Sequence, residues 1–278
     1  MTTQAAKAAA FKSLHEQPGA FVVPNPWDIG STRMLAGFGF KALATTSAGF
    51  SFSIGRADDI GVVGREETLD HLRAIVSATD LPVSADLQHG FGDAPEVCAE
   101  TIRLVAGAGL VGGSIEDATG RAEEPIFPFD LTVARVKAAV AAARALPFPF
   151  MLTARAENYL NGRPDLADTI RRLQAFAEAG ADVLYAPGLR TKEDIAAVVK
   201  AVAPKPVNVV MGLSGADFSV TDLAALGVKR ISVGSAMARA AYGAFLRAAR
   251  EVAERGTFTF ARDAVPFAEI NKILDRQP

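Results

Sequence analysis

The chain has 278 residues, of which 50% are hydrophobic and 22% are charged, and its formal net charge is −2. This composition is typical of a globular protein, and the length suits either one α/β barrel domain over residues 1–278 or two ordinary domains. The near-neutral charge provides no basic face for nucleic acid or for an anionic membrane surface.

Three further features bear on the cellular compartment. No run approaches the ~20 apolar residues of a membrane-spanning helix. Residues 1–17 contain no apolar core of secretory length. The single cysteine, Cys98, cannot form an internal disulfide, which is typical of a reducing compartment. We therefore expect a cytoplasmic protein with neither a membrane nor a nucleic-acid partner.

Short apolar runs alternate with helix candidates along the chain. A first Ala-rich helix is predicted over residues 4–17, before Pro18-Gly19. Apolar runs typical of buried strands then begin near residues 21, 41, 82, 110, 148, 182, 207 and 228, and a helix candidate follows each. A long helix is predicted over about 236–256, and the last segment, 257–278, is predicted to pack a final helix on the outside or on a neighbouring subunit.

Eight alternating units predict a parallel sheet whose strands are buried on both faces. Roughly 250 residues is the usual size of a (β/α)8 TIM barrel. A doubly wound open sheet is the alternative, but its first strand should lead into a Gly-rich loop. Here the position holds Pro24-Asn25-Pro26-Trp27. The sequence therefore predicts a (β/α)8 barrel with an extra N-terminal helix.

Active-site groups of this fold lie where the strands end, on the loops at their carboxyl ends. The chemically able residues at those positions are Asp28, Ser47, Asp58, Asp86, Gln88, His89, Glu116, Asp117, Arg155, Glu157, Asn158 and Asn208. The amino ends carry turn-forming residues instead, among them Pro82, Gly109 and Pro206. This asymmetry predicts an enzyme.

Oxygen ligands dominate the predicted site. Asp58, Asp86 and Glu116, with Gln88, suit a hard ion such as Mg²⁺, with Mn²⁺ as an alternative. Zinc is not expected, because Cys98 falls inside a predicted helix and the chain has only three histidines. Several carboxylates brought together without a cation would force one of them to take up a proton. Alternatively, Asp58 can be a solvated residue of a polar loop with no role in the site.

Two features of the same edge can bind anions. Arg155 is suited to bidentate binding of a carboxylate or phosphonate. The backbone N–H groups of Ala48 and Gly49, together with Ser47, can form an anion-binding turn, and Asn208 is a further candidate substrate ligand. A divalent ion with two anion-binding groups suits a small 2-oxo or 2-hydroxy carboxylate as substrate.

Several candidates have structural alternatives. Asp117 and Glu157 can be salt-bridge partners that orient Arg155. His89 can be a hydrogen-bonded structural residue or an acid–base group. Asp28 can cap the helix that follows it. The sequence leaves these alternatives open.

Seven short motifs together resemble the isocitrate lyase/phosphoenolpyruvate mutase family over about residues 20–245. They are Pro-Asn-Pro-Trp-Asp at 24–28, Thr-Thr-Ser at 45–47, Gly-Arg-Ala-Asp at 55–58, Asp86 with Gly90-Phe91-Gly92, Ser-Ile-Glu-Asp at 114–117, Ala-Arg at 154–155 and Ser-Val-Gly-Ser at 232–235. The resemblance implies a barrel whose last helix swaps onto a neighbouring subunit, in a homodimer or in a homotetramer built from dimers.

The resemblance also implies roles for the site residues. Mg²⁺ would be held directly by Asp86, with the other three predicted ligands acting largely through water. Arg155 and the Ser47–Gly49 turn would bind the substrate's anionic groups. The residues that would act in catalysis are Ser47, Asp58, Glu116 and Arg155. Members of the family cleave or form C–C bonds beside a carboxylate, or C–P bonds in phosphonopyruvate chemistry.

Two departures from the family's pattern narrow the range of expected activities. Gln88 stands where much of the family has an acid, and a neutral amide is expected to weaken the binding of a metal. The lyases for isocitrate and methylisocitrate carry a cysteine-containing loop after the Ile-Glu-Asp motif, and the corresponding residues 118–125 contain no cysteine. Those two activities are therefore not expected, and the mutase-type gating loop is not recognisable either.

Three functions remain at this point. The first is a Mg²⁺-dependent C–C lyase or decarboxylase that acts on a small 2-oxo or 2-hydroxy carboxylic acid through an enolate. The second is a C–P hydrolase or mutase of the phosphonopyruvate type. The third is a non-catalytic barrel that binds a metabolite, because a fold alone does not fix a function.

Overall fold

A computed structural model describes residues 2–212 and 216–275, and within them eight parallel strands form one sheet in the order β1-β8-β7-β6-β5-β4-β3-β2. The strands are β1 (Phe21–Val23), β2 (Leu43–Ala44), β3 (Val83–Asp86), β4 (Gly112–Glu116), β5 (Met151–Arg155), β6 (Val183–Tyr185), β7 (Val207–Val210) and β8 (Arg230–Ser232). Consecutive strands are neighbours, as successive right-handed crossovers around a barrel require.

The two ends of this order, β1 and β2, meet at a seam. One backbone hydrogen bond crosses it, from Ala44 N to Pro24 O at 3.1 Å. The Asn25 side chain reinforces it by donating to Thr45 O at 2.8 Å. The same side chain accepts from the backbone N–H groups of 233–234, at 2.9 and 3.0 Å. The predicted (β/α)8 barrel is confirmed.

Helices follow the strands as the sequence predicts. They are α1 (Gln4–Glu16), α2 (Ile29–Ala36), α3 (Ser47–Ser53), α4 (Arg65–Ser77), α5 (Pro95–Gly107), α6 (Phe129–Arg144), α7 (Leu166–Glu178), α8 (Lys192–Val202), α9 (Val220–Ala225), α10 (Ala236–Arg255) and α11 (Phe267–Leu274), with a 3₁₀ turn at Thr259–Arg262.

Two segments differ from the prediction. Helix α3 occupies the start of what the sequence indicated was a polar connection, because the Thr46 side chain accepts a hydrogen bond from Gly49 N and caps a short helix. Strand β5 begins at Met151 and not near residue 148. Pro149 has no N–H to donate, so the hydrogen-bonded ladder starts at Met151 N, which donates to Val111 O.

Helix α1 covers the amino ends of the strands. Its Ala8 and Phe11 pack in one buried cluster with Met151 at the start of β5. One turn further on, the His15 ring meets Phe11 and Phe21 edge to face, with centroids 4.8 and 4.9 Å apart. The barrel is therefore closed at this end by apolar side chains.

The C-terminal helices have little contact with the barrel. Of the residues of α10, only Ala238 and Glu251 are buried, and α11 packs against α2. Large apolar side chains on this arm are exposed, among them Phe245, Leu246, Phe258, Val265 and Phe267. Residues 276–278 of the predicted final segment lie outside the described residues. Within the described ranges, no helix has both the length and the apolar character to cross a bilayer.

The buried imidazole of His15 should make the fold sensitive to acid. Burial, and secondarily the charge of Arg230, lower the pKa of His15 to about 3, against about 6.5 in an unfolded chain. Between these values the unfolded chain holds a proton at residue 15 that the folded chain does not, so stability falls as the pH falls. His15→Leu should remove about 1.4 kcal/mol per pH unit of this dependence between pH 6 and 4.

The measurement is urea unfolding of both proteins at several pH values. Phe11→Leu changes the same cluster without removing a titrating group, so its loss of stability should be the same at every pH. Parallel stability curves for wild type and His15→Leu would contradict the prediction.

Candidate active site

A cavity of about 190 Å³ opens at the carboxyl ends of the strands. Six of the residues predicted from the sequence line its wall: Ser47, Ala48, Asp58, Asp86, Arg155 and Asn208. Gly49, Gln88 and Glu116 lie behind these residues. Strand-end side chains of one parallel barrel converge at one mouth, and this convergence brings together residues far apart in the sequence.

Arg155, the last residue of β5, is at the centre of the site. Its Nη1 lies 3.0 Å from Asp86 Oδ1, its Nη2 lies 3.1 Å from Glu116 Oε2, and its Nε lies 2.7 Å from Glu157 Oε1. Asp86 ends β3 and Glu116 ends β4. One guanidinium therefore connects the ends of three adjacent strands.

This cluster contains more negative than positive charge. Burial raises the pKa of Glu116 well above its ordinary value, and the nearby Arg155 only partly opposes this. Burial alone would lower the pKa of Arg155, but Glu157, Glu116 and Asp86 together raise it well above its ordinary value. The arginine thus stays charged, and the surplus of carboxylate calls for a proton or a further cation.

The second oxygen of Asp86 is held by the start of α3. Asp86 Oδ2 accepts from both the backbone N and the Oγ of Ser47, each at 3.0 Å. Gly49 N donates to Thr46 Oγ1 at 3.2 Å, so two of the three N–H groups of the predicted anion-binding turn are engaged within the chain. A Cβ at Gly49 would come within 2.6 Å of Thr46 Cγ2, which explains the glycine.

Asp58 completes the acidic side of the cavity, and Gln88 lies beside it. Asp58 is an exposed residue, but its carboxyl faces the cavity, where burial and then the charge of Asp86 raise its pKa to about 6. Gln88 Nε2 approaches Asp58 Oδ1 at 3.5 Å, a long contact. Gln88 has a left-handed backbone (φ 47°), and its carbonyl accepts from Glu116 N at 3.0 Å.

These donors suit a magnesium ion that keeps part of its water shell. In residues 2–212 and 216–275, no three His, Cys, Asp or Glu side chains converge as a ready-made ligand cluster. Magnesium characteristically uses one or two carboxylates and retains several waters. Asp86 Oδ1 accepts one hydrogen bond, from Arg155, and so keeps a lone pair. The surplus carboxylate charge and the oxygen donors fit such an ion.

A second layer of charged groups orients Arg155. Asp117 Oδ1 accepts from Glu157 N at 2.8 Å, and Asp117 Oδ2 lies 3.1 Å from Arg172 Nη1. Arg172 also bonds Asp168 through Nε at 2.8 Å. Burial raises the pKa of Asp117 to about 7, although the hydrogen bond from the Glu157 N–H and the charge of Arg172 act to lower it. Glu157 is thus a salt-bridge partner of Arg155, whereas Asp117 pairs with Arg172 and holds the backbone of Glu157.

Two other candidates lie in structural positions. Asp28 caps α2, where its side chain accepts from Ser31 N at 2.6 Å. His89 is buried outside the cavity wall, and its carbonyl accepts a hydrogen bond from Arg135. Burial, followed by the charge of Arg135, lowers the pKa of His89 to about 4.

Tyr185 and Arg230 line the cavity but were not predicted. Arg230 is buried in the barrel, where Nε donates to Asn208 Oδ1 and Nη2 donates to Thr153 Oγ1, both at 2.9 Å. The sequence did contain a signal for Arg230, because two consecutive basic residues, Lys229 and Arg230, interrupt the apolar run 228–233. Because strand side chains alternate between faces, one of the two must point inward.

The ion pair behind the site gives a test of its structural importance. Arg172→Met should lower the free energy of unfolding by about 3 kcal/mol, because it leaves buried Asp117 without its partner. The neighbouring Arg171 also pairs with Asp168, but its side chain is 61% exposed. Arg171→Met should therefore cost less than about 1 kcal/mol. Urea unfolding measures both, and equal losses in the two variants would contradict this account.

Comparisons with known proteins agree with this geometry. Residues 11–253 match the family model described as phosphoenolpyruvate phosphomutase. A crystal structure from Burkholderia cenocepacia J2315, described as a candidate lyase/mutase, superposes with a TM-score of 0.94 at 63% identity, covering 97% of this chain and 95% of that chain. Oxaloacetate acetylhydrolase in complex with oxalate superposes with a TM-score of 0.87 at 25% identity, covering 99% and 96%.

Sequence relatives point the same way. The oxaloacetate decarboxylase of Paraburkholderia xenovorans (strain LB400) is 30% identical over 216 residues, which cover 76% of this chain and 69% of that protein. Similar structures include 2,3-dimethylmalate lyase, described as a member of the PEP mutase/isocitrate lyase superfamily. The prediction from the motifs is confirmed: the chain belongs to the isocitrate lyase/phosphoenolpyruvate mutase family of C–C lyases and mutases.

Proposed function

We propose that this protein is a Mg²⁺-dependent C–C lyase or decarboxylase that acts on a small 2-oxo or 2-hydroxy carboxylic acid. The observation that carries the proposal is the surplus of carboxylate around Arg155 at the mouth of the barrel. A stable fold does not need several acids on one buried guanidinium, whereas a site for a divalent ion does.

Asp86 would hold the ion directly, and Asp58, Gln88 and Glu116 would hold its waters. When bound, Mg²⁺ (or Mn²⁺) supplies Lewis-acid polarisation of the substrate's 2-oxygen. Ser47 keeps Asp86 fixed through its two hydrogen bonds, so that the carboxylate does not have to reorganise during the reaction.

The remaining wall residues would orient the substrate. Arg155 donates hydrogen bonds to Glu157 and Asp86 through Nε and Nη1, and its Nη2 lies close to Glu116, so other N–H groups of Nη1 and Nη2 remain for a substrate oxygen. Ala48 and Ser47 border the cavity on the α3 side and Asn208 borders it on the β7 side.

The bond changes are simple for a 2-oxo dicarboxylate. The bond between C3 and the departing carboxylate breaks, its electron pair forms the C2–C3 double bond, and the carbonyl pair of C2 moves onto the 2-oxygen to give an enolate. Carbon dioxide leaves, and the enolate takes a proton from water to give a 2-oxo monoacid. The names of the relatives, oxaloacetate decarboxylase and oxaloacetate acetylhydrolase, support a substrate of this type.

A second candidate is hydrolysis or rearrangement of phosphonopyruvate. The family model that matches residues 11–253 is described as phosphoenolpyruvate phosphomutase, which favours this reading. The mutase-type gating loop is not recognisable in the sequence, however, and the sequence relatives include oxaloacetate decarboxylases. The C–C reaction therefore remains our first choice.

We also infer that the chain assembles as a homodimer or homotetramer through its C-terminal arm. The long helix α10 buries few of its own residues. Phe245, Phe258 and Phe267 are exposed by 67%, 66% and 83%. Exposed apolar side chains of this size are typical of a contact with another subunit, and a swapped helix of a second copy suits them.

The function is tested with a Mg²⁺-supplemented screen of 2-oxo and 2-hydroxy acids that follows pyruvate, CO₂ and phosphate together. Asp86→Ala should lower turnover of the best substrate by about 10²- to 10³-fold, because the direct ligand is lost. EDTA should abolish turnover and Mg²⁺ should restore it. Asp59→Ala, next to the site, is the matched control and should keep its activity.

Each outcome is informative. Unchanged turnover in Asp86→Ala would exclude the proposed site. Release of phosphate from phosphonopyruvate without release of CO₂ from any acid would select the C–P reaction. Tight binding of a ligand without turnover would select a metabolite-binding barrel.

Gln88 provides a separate test of the ion. Gln88→Asp adds a carboxylate beside Asp58 and should tighten Mg²⁺ binding by about 10-fold, since ligand charge sets the affinity of such sites. Gln88→Asn is the control, because it has the same shape without the charge, and both residues tolerate a left-handed backbone. Calorimetric titration with Mg²⁺ measures the affinities. An aspartate variant that binds no tighter than the asparagine variant would contradict the prediction.

A further inference from the structure

Arg230 is a buried cation that has no carboxylate partner in the described part of the chain. Its side chain lines the cavity, and the residue is only 5% exposed. Its two hydrogen-bond acceptors are the neutral oxygens of Asn208 and Thr153. Its Nη1 has no partner among residues 2–212 and 216–275. Burial lowers its pKa to about 10, so the guanidinium remains charged at neutral pH.

The free donors of Arg230 lie on one edge of the guanidinium. A guanidinium has five N–H groups in a fixed plane. Two are used, on Nε and Nη2, so both N–H groups of Nη1 and the second one of Nη2 remain. That edge has the geometry that binds a carboxylate through two parallel hydrogen bonds. Arg155, by contrast, already contacts three carboxylates.

The strand register connects the two arginines. Arg155 pairs with Tyr185, Tyr185 pairs with Asn208, and Asn208 pairs with Arg230. Side chains of directly paired residues point to the same face of a sheet. All four line the cavity, so this row of inward side chains runs from Arg155, the last residue of β5, to Arg230, the first residue of β8. Each end of the row is a cation.

An anion can reach Arg230 from one side only. Helix α1 covers the amino ends of the strands with Phe11 and His15. Burial and the neighbouring Arg230 lower the pKa of His15, so this ring is neutral and provides no counter-charge. The open cavity, which Ser232 also lines, leads to Arg230 from the mouth.

We propose that Arg230 forms an anion-binding subsite on the cavity floor that receives the far carboxylate of a dicarboxylate substrate, while the 2-oxo or 2-hydroxy acid end lies beside Arg155 and Asp86. The inference rests on the proposed function for the placement of that second end. Arg230 is then the residue that determines specificity for dianionic over monoanionic acids, and Asn208 and Thr153 are positioning residues that hold its guanidinium.

The test is a thermodynamic cycle in which one charge is removed from the protein, one from the ligand, or both. Malate and malate 4-amide differ only in the charge of the far group. Their affinities for the full-length protein in Mg²⁺ are measured by calorimetry, without turnover, for wild type and Arg230→Met. The wild type should bind malate at least about 10-fold tighter than the amide, the usual size of a charged hydrogen bond, and in Arg230→Met this ratio should fall to near one.

Two controls separate the subsite from a structural role. Oxalate has no far carboxylate, so its affinity should change by less than about 3-fold in Arg230→Met. Arg230→Lys keeps the charge and should retain part of the preference for malate. If Arg230 had only a structural role, Arg230→Met would lower the affinities for malate, its amide and oxalate to the same extent. That result would overturn the proposal.

The wild-type ligand pair decides the question even if Arg230→Met does not fold. Equal affinities of wild type for malate and its amide, or no binding of either, would overturn the subsite. If the wild type prefers malate and Arg230→Met does not, but no acid is turned over, the proposed function is wrong and the subsite stands. If turnover depends on Asp86 but the ratio is the same in wild type and Arg230→Met, the function stands and the subsite is wrong.

Discussion

The contact of Arg155 with three carboxylates is the interaction on which the site depends. A buried ion pair contributes little net stability, yet removing one partner costs about 3–5 kcal/mol, because the other is left buried and unpaired. The cluster therefore fixes geometry more than it stabilises the fold. It holds the ends of β3, β4 and β5 at one spacing, and the pair of Asp117 with Arg172 holds it from behind.

The two ends of the barrel have opposite chemistry. At the amino ends, α1 closes the barrel with apolar side chains and a neutral His15. At the carboxyl ends, acidic groups collect around the cavity. Between them, Arg230 is a positive charge below a negative rim. Under the proposed function, a metal ion would offset the negative charge of the rim, and Arg230 would attract the far acidic group of the substrate.

Most of the fold could be predicted from the sequence, because apolar periodicity and turn residues are local signals. The eight strands and the strand-end positions of Asp86, Glu116 and Arg155 followed from that pattern. Helix α3 could not be predicted, since the hydrogen bond from Gly49 N to the Thr46 side chain decides between a helix and a loop. The direct contact of Arg155 with Asp86 and the isolation of Arg230 depend on register across strands, which no local window contains.

The Asn25 side chain has a mechanical consequence. It donates to Thr45 O and accepts from the backbone N–H groups of 233–234, so one amide joins the segments that follow β1, β2 and β8. Thr45 is two residues before Ser47, which holds Asp86. A displacement of any one of these three segments is therefore transmitted to the other two, and the two sides of the seam should move as a single rim.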